Sequence, residues 1–232
     1  MAIIKICGVG DRAALTAAVS AGATHVGFVF HPKSPRHLQL DEAQALRAEI
    51  DVSAVHARPQ IVALVADKSA DALAKLADAV RPDSIQCHGQ ETPHDLTVLR
   101  AALPAHTELW KAFGVTNAND LAESKTFGEV ADTLLLDARP PADAAYGGGH
   151  GRAFDWSVLA QAAEAGHLGA VPWVLAGGLT PETVAGAVAR VGALPGFAGV
   201  DVSSGVESAP GQKDPVAIHA FIRAARRAMD TL

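Results

Sequence analysis

The sequence predicts an α/β fold in which eight parallel strands and their connecting helices close into one (β/α)8 TIM barrel. Three observations predict it. Short apolar or β-branched runs recur eight times in 232 residues, about 29 residues for each strand with its helix. The runs show little polar alternation, as expected of parallel strands covered by helices, and helix-start signals lie between them. We therefore expect a single domain over residues 1–232.

The predicted strands are apolar almost throughout, as residues 61–65 and 133–136 illustrate. An open doubly wound sheet is the competing fold. It would require the spacing G-x-G-x-x-G after the first strand, which Cys7-Gly8-Val9-Gly10-Asp11 lacks. The eight strands are predicted to begin near Ile3, His25, Gln60, Ser84, Thr107, Ala131, Trp173 and Gly199.

The segments between the strands carry the signals of helix ends. The first helix is predicted from about Asp11 to near Gly22. A side chain that can cap a helix, in three cases followed by proline, predicts four further helix starts. These starts are at Ser69, Thr92, Thr180 and Asp214.

Composition excludes several classes of function. The net charge is −6, with 49% hydrophobic and 19% charged residues, which indicates a globular protein and argues against nucleic acid or an anionic membrane as partner. No apolar run reaches the ~20 residues of a membrane span. Residues 1–6 are too short for a signal peptide. We therefore expect a cytoplasmic protein.

Cysteine and histidine spacing argues against a metal site. Two cysteines, Cys7 and Cys87, cannot form a disulfide framework or a zinc site. The ten histidines are scattered, and a metal held by His88 and Asp137 would lack an obvious third ligand. Because side chains alternate along a strand, Cys87 and His88 should point to opposite faces, so we expect Cys87 to be a packing residue.

In a barrel of this kind the reactive side chains lie at the carboxyl ends of the strands. Cys7 ends the first predicted strand and is either a small buried residue or a thiol activated by the following helix. Asp137 ends the sixth and is either a buried acid or a helix cap. His88, after the fourth, is more often a structural histidine. Arg36, after the second, is either a surface charge or a clamp for a carboxylate.

Glycine-rich loops follow the last three strands. Their backbone N–H groups can approach an anion closely, and barrels often bind phosphate in the loops after strands seven and eight. The alternative is that these glycines only form tight turns. We expect phosphate there, with ligands Gly151, Gly177, Gly178, Ser203 and Ser204.

Several segments resemble the motifs of one protein family, and they occur in that family's order along nearly the whole chain. They are Lys5-Ile6-Cys7-Gly8, Gly27-Phe28-Val29-Phe30, Lys33-Ser34-Pro35-Arg36, Ile85-Gln86-Cys87-His88-Gly89, Leu135-Leu136-Asp137, Gly148-Gly149-His150-Gly151 with Phe154-Asp155-Trp156, Leu175-Ala176-Gly177-Gly178-Leu179 and Gly199-Val200-Asp201-Val202-Ser203-Ser204-Gly205-Val206-Glu207. Together they resemble the phosphoribosylanthranilate isomerase family of tryptophan biosynthesis. The resemblance implies a cofactor-free Amadori rearrangement of N-(5-phosphoribosyl)anthranilate, a phosphorylated aminosugar, into 1-(2-carboxyphenylamino)-1-deoxyribulose 5-phosphate.

The same resemblance implies roles for individual residues. Cys7 would be the general base, Asp137 the general acid, and Arg36 the contact of the anthranilate carboxylate, with His88 and Asp201 also facing the substrate. Because an ordinary thiol and an ordinary aspartate are poorly matched to pH 7, we predict that burial raises the pKa of Asp137 and that the polar barrel mouth lowers the pKa of Cys7. A monomer and a homodimer both remain open.

Two positions depart from the family pattern. His150 stands where the family often has serine or threonine, and we assign it no role; Cys87 replaces the more usual leucine before His88, which is a conservative change in the core. Residues 138–146 form a long connection that we expect to act as a lid.

Three other functions are alternatives. A ribulose-phosphate epimerase would need strand-end metal ligands or paired aspartates. An indole-forming synthase would need a strand-end lysine as its acid and an extended segment before the first strand. For a Schiff-base nucleophile, Lys111 near the end of the fifth strand and Lys5 within the first are the nearest lysines to a strand end. A catalytically silent phosphate-binding barrel would keep the glycine loops but lose the acid and the base.

Overall fold

A closed barrel of eight parallel strands forms the centre of the computed structural model, which describes residues 2–52, 58–139 and 155–232. Each strand pairs with the next in sequence order, and the eighth pairs with the first, so the predicted fold is confirmed. The strands are β1 Ile3–Cys7, β2 His25–Val29, β3 Gln60–Val65, β4 Ser84–Cys87, β5 Glu108–Val115, β6 Thr133–Ala138, β7 Trp173–Leu175 and β8 Phe197–Val202.

Helices cover the outside of the barrel. Between β5 and β6 the connection is a 3-10 segment, Ala118–Phe127, rather than an α-helix. After β8 come a 3-10 turn, Ser204–Val206, and an antiparallel hairpin of β9, Glu207–Ala209, and β10, Gln212–Lys213. The α-helices are α1 Arg12–Ala21, α2 Leu40–Val52, α3 Ala70–Val80, α4 Pro93–Ala102, α5 Ser157–Glu164, α6 Val184–Val191 and α7 Pro215–Met229.

Most of the predicted helix ends are confirmed by side-chain caps. Asp11 accepts a hydrogen bond from the backbone of α1, Ser69 does the same for α3, Thr92 forms a reciprocal capping box in α4, and Asp214 caps α7. The start predicted at Thr180 is four residues early, because α6 begins at Val184. The Thr180 hydroxyl accepts bonds from the N–H groups two and three residues later and its carbonyl accepts from the N–H of Val184, so Thr180 opens a turn that leads into α6.

Alternating strand side chains build two cores. One set packs outward against the helices and includes Cys87, as predicted. The other set fills the barrel interior, where the rings of His25 and Trp110 lie 5.4 Å apart. The apolar part of that interior consists of Val62, Trp110, Ala112, Leu135, Val174 and Ala176. At inward positions of other strands, chiefly β1, β4 and β8, and at the end of β6, the chain places buried polar side chains, and these build the candidate site.

The described residues contain no helix with the length and apolar character that crossing a bilayer requires.

Two of the predictions concern residues outside the part of the chain that the structure describes. Gly151, one of the expected phosphate ligands, and His150 lie outside the described residues. So do residues 140–146, most of the expected lid.

Candidate functional site

The carboxyl ends of the eight strands meet at one rim of the barrel, and the predicted site residues lie there. Cys7 is the last residue of β1, Asp137 the fifth of six in β6, and Asp201 the fifth of six in β8. Cys7, Asp137 and Asp201 are buried. The negative charge of Asp201 raises the pKa of Asp137 across the barrel interior. The structure therefore brings these side chains to a common space.

The Cys7 thiol fits a pocket beside β2. A Cβ added to Gly27 would lie 2.9 Å from the Cys7 Sγ atom, so the missing side chain of Gly27 makes room for the sulfur. Burial raises the pKa of the Cys7 thiol above its ordinary value, although the cations Lys5 and Lys213 oppose the effect. The predicted lowering of this pKa is wrong, because the loss of hydration outweighs the attraction of the two cations.

Lys5 and Asp201 form a buried ion pair beside that thiol. The Lys5 Nζ atom lies 2.9 Å from Asp201 Oδ1, and Lys5 has no solvent exposure at 0%. Burial lowers the pKa of Lys5, but the charges of Asp201 and Cys7 outweigh it and leave the pKa above its ordinary value. Lys5 is therefore an ammonium ion.

Asp137 occupies an apolar position at the end of β6. Burial raises its pKa to about 7, and the charge of Asp201 adds to the increase. The backbone N–H of Ala138, which donates to Asp137 Oδ1 across 2.8 Å, and the charge of Lys5 oppose it. The predicted increase is confirmed, and it makes Asp137 a group that can hold or release a proton near neutral pH.

His88 lies beside Asp137 as a neutral ring. The Gln86 amide nitrogen donates to His88 Nδ1 across 3.0 Å, and burial lowers the pKa of His88 to about 3. A neutral ring that accepts at Nδ1 carries its proton on Nε2. That nitrogen lies 3.7 Å from Asp137 Oδ2, too far for a direct hydrogen bond.

Arg36 belongs to a buried charge cluster rather than to the surface. Its Nε and Nη2 atoms donate to both carboxylate oxygens of Glu207 across 2.7 and 2.8 Å. Lys213 Nζ donates to the same carboxylate across 2.6 Å and to the Ser203 carbonyl across 2.9 Å. Two basic side chains thus share one carboxylate beside the loop after β8, and burial lowers the pKa of Lys213 below its ordinary value. Sequence reasoning assigned no role to Glu207 and missed Lys213.

The Arg36 side chain also lies beside the thiol end of β1. A Cβ added to Gly8, the residue after Cys7, would lie 2.5 Å from Arg36 Cδ. The cluster of Arg36, Glu207 and Lys213 therefore borders the rim that holds Cys7.

The loops after β7 and β8 meet at the same rim. Gly177 and Gly178 have φ angles of +81° and +67°, and neither N–H group has an acceptor among the residues that the structure describes. The backbone at Gly205 abuts the carbonyl of Leu179, which joins the two loops. Successive backbone N–H groups without acceptors in a turn are the kind of group that can bind an anion. Ser203 and Ser204 lie half-buried beside it.

A cavity of about 860 Å³ opens over the ends of β4, β5 and β6, and His88, Phe113, Asp137 and Arg139 line part of it. Its wall includes a buried ion pair between Lys111 Nζ and Glu91 Oε2, 2.8 Å apart. Because β5 continues to Val115, Lys111 lies in mid-strand and not at the strand end. Within the described ranges no group of three or more His, Cys, Asp or Glu side chains could hold a metal ion.

Comparison with known families gives one consistent match. The family model for N-(5'-phosphoribosyl)anthranilate (PRA) isomerase matches residues 4–224. Proteins named N-(5'-phosphoribosyl)anthranilate isomerase from Cereibacter sphaeroides and Paracoccus denitrificans are 45% and 47% identical to the chain over 227 and 221 residues. These alignments cover 96% and 94% of this chain and 98% and 94% of the relatives.

Solved structures give the same match. The phosphoribosyl anthranilate isomerase of Thermotoga maritima superposes with a TM-score of 0.80 and 31% identity, covering 98% of this chain and all of that chain (100%). A phosphoribosyl anthranilate isomerase in complex with reduced 1-(o-carboxyphenylamino)-1-deoxyribulose 5-phosphate superposes with a TM-score of 0.77 and 29% identity, with coverage of 98% and 100%.

Proposed function

The chain belongs to the N-(5'-phosphoribosyl)anthranilate isomerase family and is an enzyme, and we propose that it catalyses the Amadori rearrangement of N-(5-phosphoribosyl)anthranilate in tryptophan biosynthesis. The product would be 1-(2-carboxyphenylamino)-1-deoxyribulose 5-phosphate. The observation that carries the proposal is the family match over residues 4–224. The rim supports it with a buried acid and a buried thiol near one anion site.

The first step of the proposed reaction opens the sugar ring. Asp137 donates its proton to the ring oxygen, the bond between that oxygen and the anomeric carbon breaks, and the substrate nitrogen supplies the electron pair of the new iminium bond. A pKa of about 7 leaves a large fraction of Asp137 protonated at neutral pH, which suits this role. His88, neutral and next to Asp137, presents an N–H and would bind an oxygen of the opened sugar.

The second step moves a proton from carbon. The iminium bond acidifies the C–H of the neighbouring carbon, and the Cys7 thiolate removes that proton to leave an enol. Loss of the hydroxyl proton and protonation of the former anomeric carbon then give the ketone. Both proposed groups are buried, which keeps water away from the iminium ion.

The proposed acid and base share one proton in the reactive state. Cys7 must be a thiolate while Asp137 is protonated, although the pKa of Asp137 is about 7 and that of Cys7 is raised. The reactive form is therefore a minority form between the two pKa values, and the pair titrates as a unit. Lys5 and Lys213 increase its population because both favour the thiolate.

The substrate's two anionic groups would bind at the cationic side of the rim. We assign the phosphate to the loop N–H groups of Gly177, Gly178, Ser203 and Ser204, with Lys213 beside them. We assign the anthranilate carboxylate to Arg36, because a guanidinium matches the geometry of a carboxylate. A relative bound to a reduced, phosphorylated product analogue supports a ligand of this class.

The remaining proposed contacts lie closer to the reacting carbons or further along the phosphate loops. Asp201 would contact the sugar from β8, and Gly151 would extend the phosphate loops.

We further propose that residues 1–232 act as one domain, which the pairing of β1 with β8 supports. A Thermotoga maritima relative is described as a dimeric enzyme that yields monomers, and a monomer and a homodimer are both compatible with this chain.

The test of the function is turnover by the purified protein, followed by the fluorescence of the anthranilate sugar. Cys7→Ala and Asp137→Asn should each lower kcat by about 100- to 10,000-fold, the range of general acid–base catalysis. Cys87→Ala is the matched control, because Cys87 is buried in the helix-facing core, and its kcat should stay at the wild-type value. Near-wild-type rates in both rim variants would refute the assigned roles. Binding of the product analogue without turnover by the wild type would refute the enzymatic function.

A further inference from the structure

Lys5 is a charged side chain in a place where an apolar one would be the simpler choice. It is fully enclosed in the barrel interior at 0% exposure. Removing an ammonium and a carboxylate from water costs several kcal/mol for each ion, and well-packed apolar residues often replace buried pairs without loss of stability. Stability alone therefore does not explain the pair of Lys5 and Asp201.

The pair is built into the strand register. Lys5 and Asp201 are direct partners in the ladder between β1 and β8, so their side chains leave the sheet side by side. Their 2.9 Å contact is the one ion pair that Lys5 makes with a described residue. The position of the ammonium is thus set by two neighbouring strands and not by a mobile loop.

Lys5 and Cys7 share a face of β1. Residues two apart on a strand point the same way, and both side chains enter the barrel interior. An ammonium has three N–H donors, and Asp201 takes one of them in an otherwise closed space that also holds the Cys7 sulfur. Lys5 is the strongest of the groups that favour the thiolate, ahead of Lys213.

We propose that Lys5 is a positioning residue for the isomerisation, whose ammonium, held by Asp201, is the counter-ion that allows Cys7 to ionise inside the closed barrel. The proposal rests on the proposed role of Cys7 as the base. The Lys5 ammonium interacts with two anions. The Asp201 carboxylate fixes its position and also competes with the Cys7 thiolate for the same positive charge.

Other charged or titratable groups lie around the thiol, and their effects on its ionisation must be distinguished from the effect of Lys5. His25 on β2 is neutral near pH 7, because burial lowers its pKa to about 4. Asp137 lies on β6 across the interior, and Arg36 passes over the residue after Cys7. Among the residues that the structure describes, the charges that act on the thiol are those of Lys5 on β1, Asp201 on β8 and Lys213 in the hairpin. Glu207 in the hairpin lies against both Arg36 and Lys213.

The two members of the pair predict opposite effects on the thiol. Lys5→Met removes the counter-ion and leaves Asp201, so the titration of the thiol should move upward by about one to three pH units. Asp201→Asn removes the competing anion and leaves Lys5 to the thiolate, so the titration should move downward. A pair that only supported the fold would not shift the titration in opposite directions.

The experiment titrates Cys7 directly. Thiolate absorbance is measured against pH in the Cys87→Ala background, and the same curve from a protein that also carries Cys7→Ala is subtracted. Since the chain has two cysteines, the difference reports Cys7 alone. In the same variants the alkaline limb of kcat/KM should move with the thiol titration, and its plateau should fall for Lys5→Met.

The outcomes separate the two proposals. Shifts in the same direction, or no shift in either variant, would overturn the role of Lys5. If Lys5→Met does not fold, Asp201→Asn decides: a downward shift supports the role, and no shift or an upward one overturns it. Opposite shifts together with full activity of Cys7→Ala would support Lys5 as the counter-ion and refute the proposed role of Cys7.

Discussion

The two sides of the barrel rim surround their key groups with different chemistry. On the thiol side, Cys7 lies near the cations Lys5, Arg36 and Lys213. On the acid side, Asp137 lies beside the neutral ring of His88. The Gln86 amide nitrogen donates to His88 Nδ1, and the amide oxygen has no hydrogen-bond partner among the described residues. Burial raises the pKa of both groups, but it moves an aspartate toward pH 7 and a thiol away from it. Cations are therefore useful where the thiol lies and would be harmful next to the acid.

The largest effect that we expect from the difference between the two sides is on the pH dependence of kcat/KM. Below about pH 7 both groups are protonated and no thiolate is available, so the rate should fall about tenfold for each pH unit. Above the raised pKa of Cys7 both protons are lost and the rate should fall again. A rate that stays flat down to pH 5 would contradict the shared proton.

A smaller effect should appear in stability when Asp137→Asn removes the acid. The ordinary pKa of 3.8 rises to about 7 in the folded protein, so between these values the folded state holds a proton that the unfolded chain has lost. The contribution of Asp137 to stability is therefore greatest at low pH, and it falls by up to about 4 kcal/mol as pH rises through this window.

The asparagine variant lacks that titration. Its free energy of unfolding, measured with urea, should exceed the wild-type value by a few kcal/mol at pH 8 and approach it at pH 4.5, while its kcat is low. An equal difference at both pH values would show that Asp137 is not a buried acid with a raised pKa.

Gly177→Ala should disturb the contact between Asp137 and the loop after β7, to which we assign the substrate phosphate. The new Cβ would lie 2.5 Å from the Ala138 nitrogen and 3.0 Å from Asp137 Oδ1, and the backbone has a φ of +81°. We expect a loss of about 1–3 kcal/mol in thermal or urea unfolding, together with a higher KM. Gly186→Ala is the control, because its Cβ would meet no atom within 4 Å on helix α6. An unchanged KM in Gly177→Ala would separate this loop from the substrate.

Gln86→Met should have the smallest effect. It removes the hydrogen bond to His88 Nδ1 but keeps the size of the side chain, so the ring that faces Asp137 loses its fixed orientation. A neutral hydrogen bond contributes about 0.5–1.5 kcal/mol, which corresponds to about a 2- to 13-fold loss of kcat. Steady-state kinetics at pH 7.5 would detect it, and the alkaline limb should not move because Cys7 is remote from this bond.

Several features of the site follow from local sequence. Strand ends in a parallel barrel lie at one rim, so the positions of Cys7 and Asp137 at the ends of apolar runs were enough to predict where they meet. Capping side chains such as Asp11 and Thr92 act within three residues, so they too can be found without a structure.

Long-range partners could not be predicted in this way. Lys5 and Asp201 are 196 residues apart, and Arg36 and Glu207 are 171 apart, so no spacing in the chain indicates that they form ion pairs. Lys5 carried one signal, a charge at an inward position of an apolar strand. The meaning of that charge depends on its partners.

By itself the sequence determined the family, the barrel and the rim positions of the acid and the thiol, because short-range patterns and strand order specify them. Only the tertiary structure decided the state of each group. The pKa of Cys7 is the balance between lost hydration and the charges of Lys5, Asp201 and Lys213, which come together only when β1 pairs with β8 and the hairpin folds over the rim.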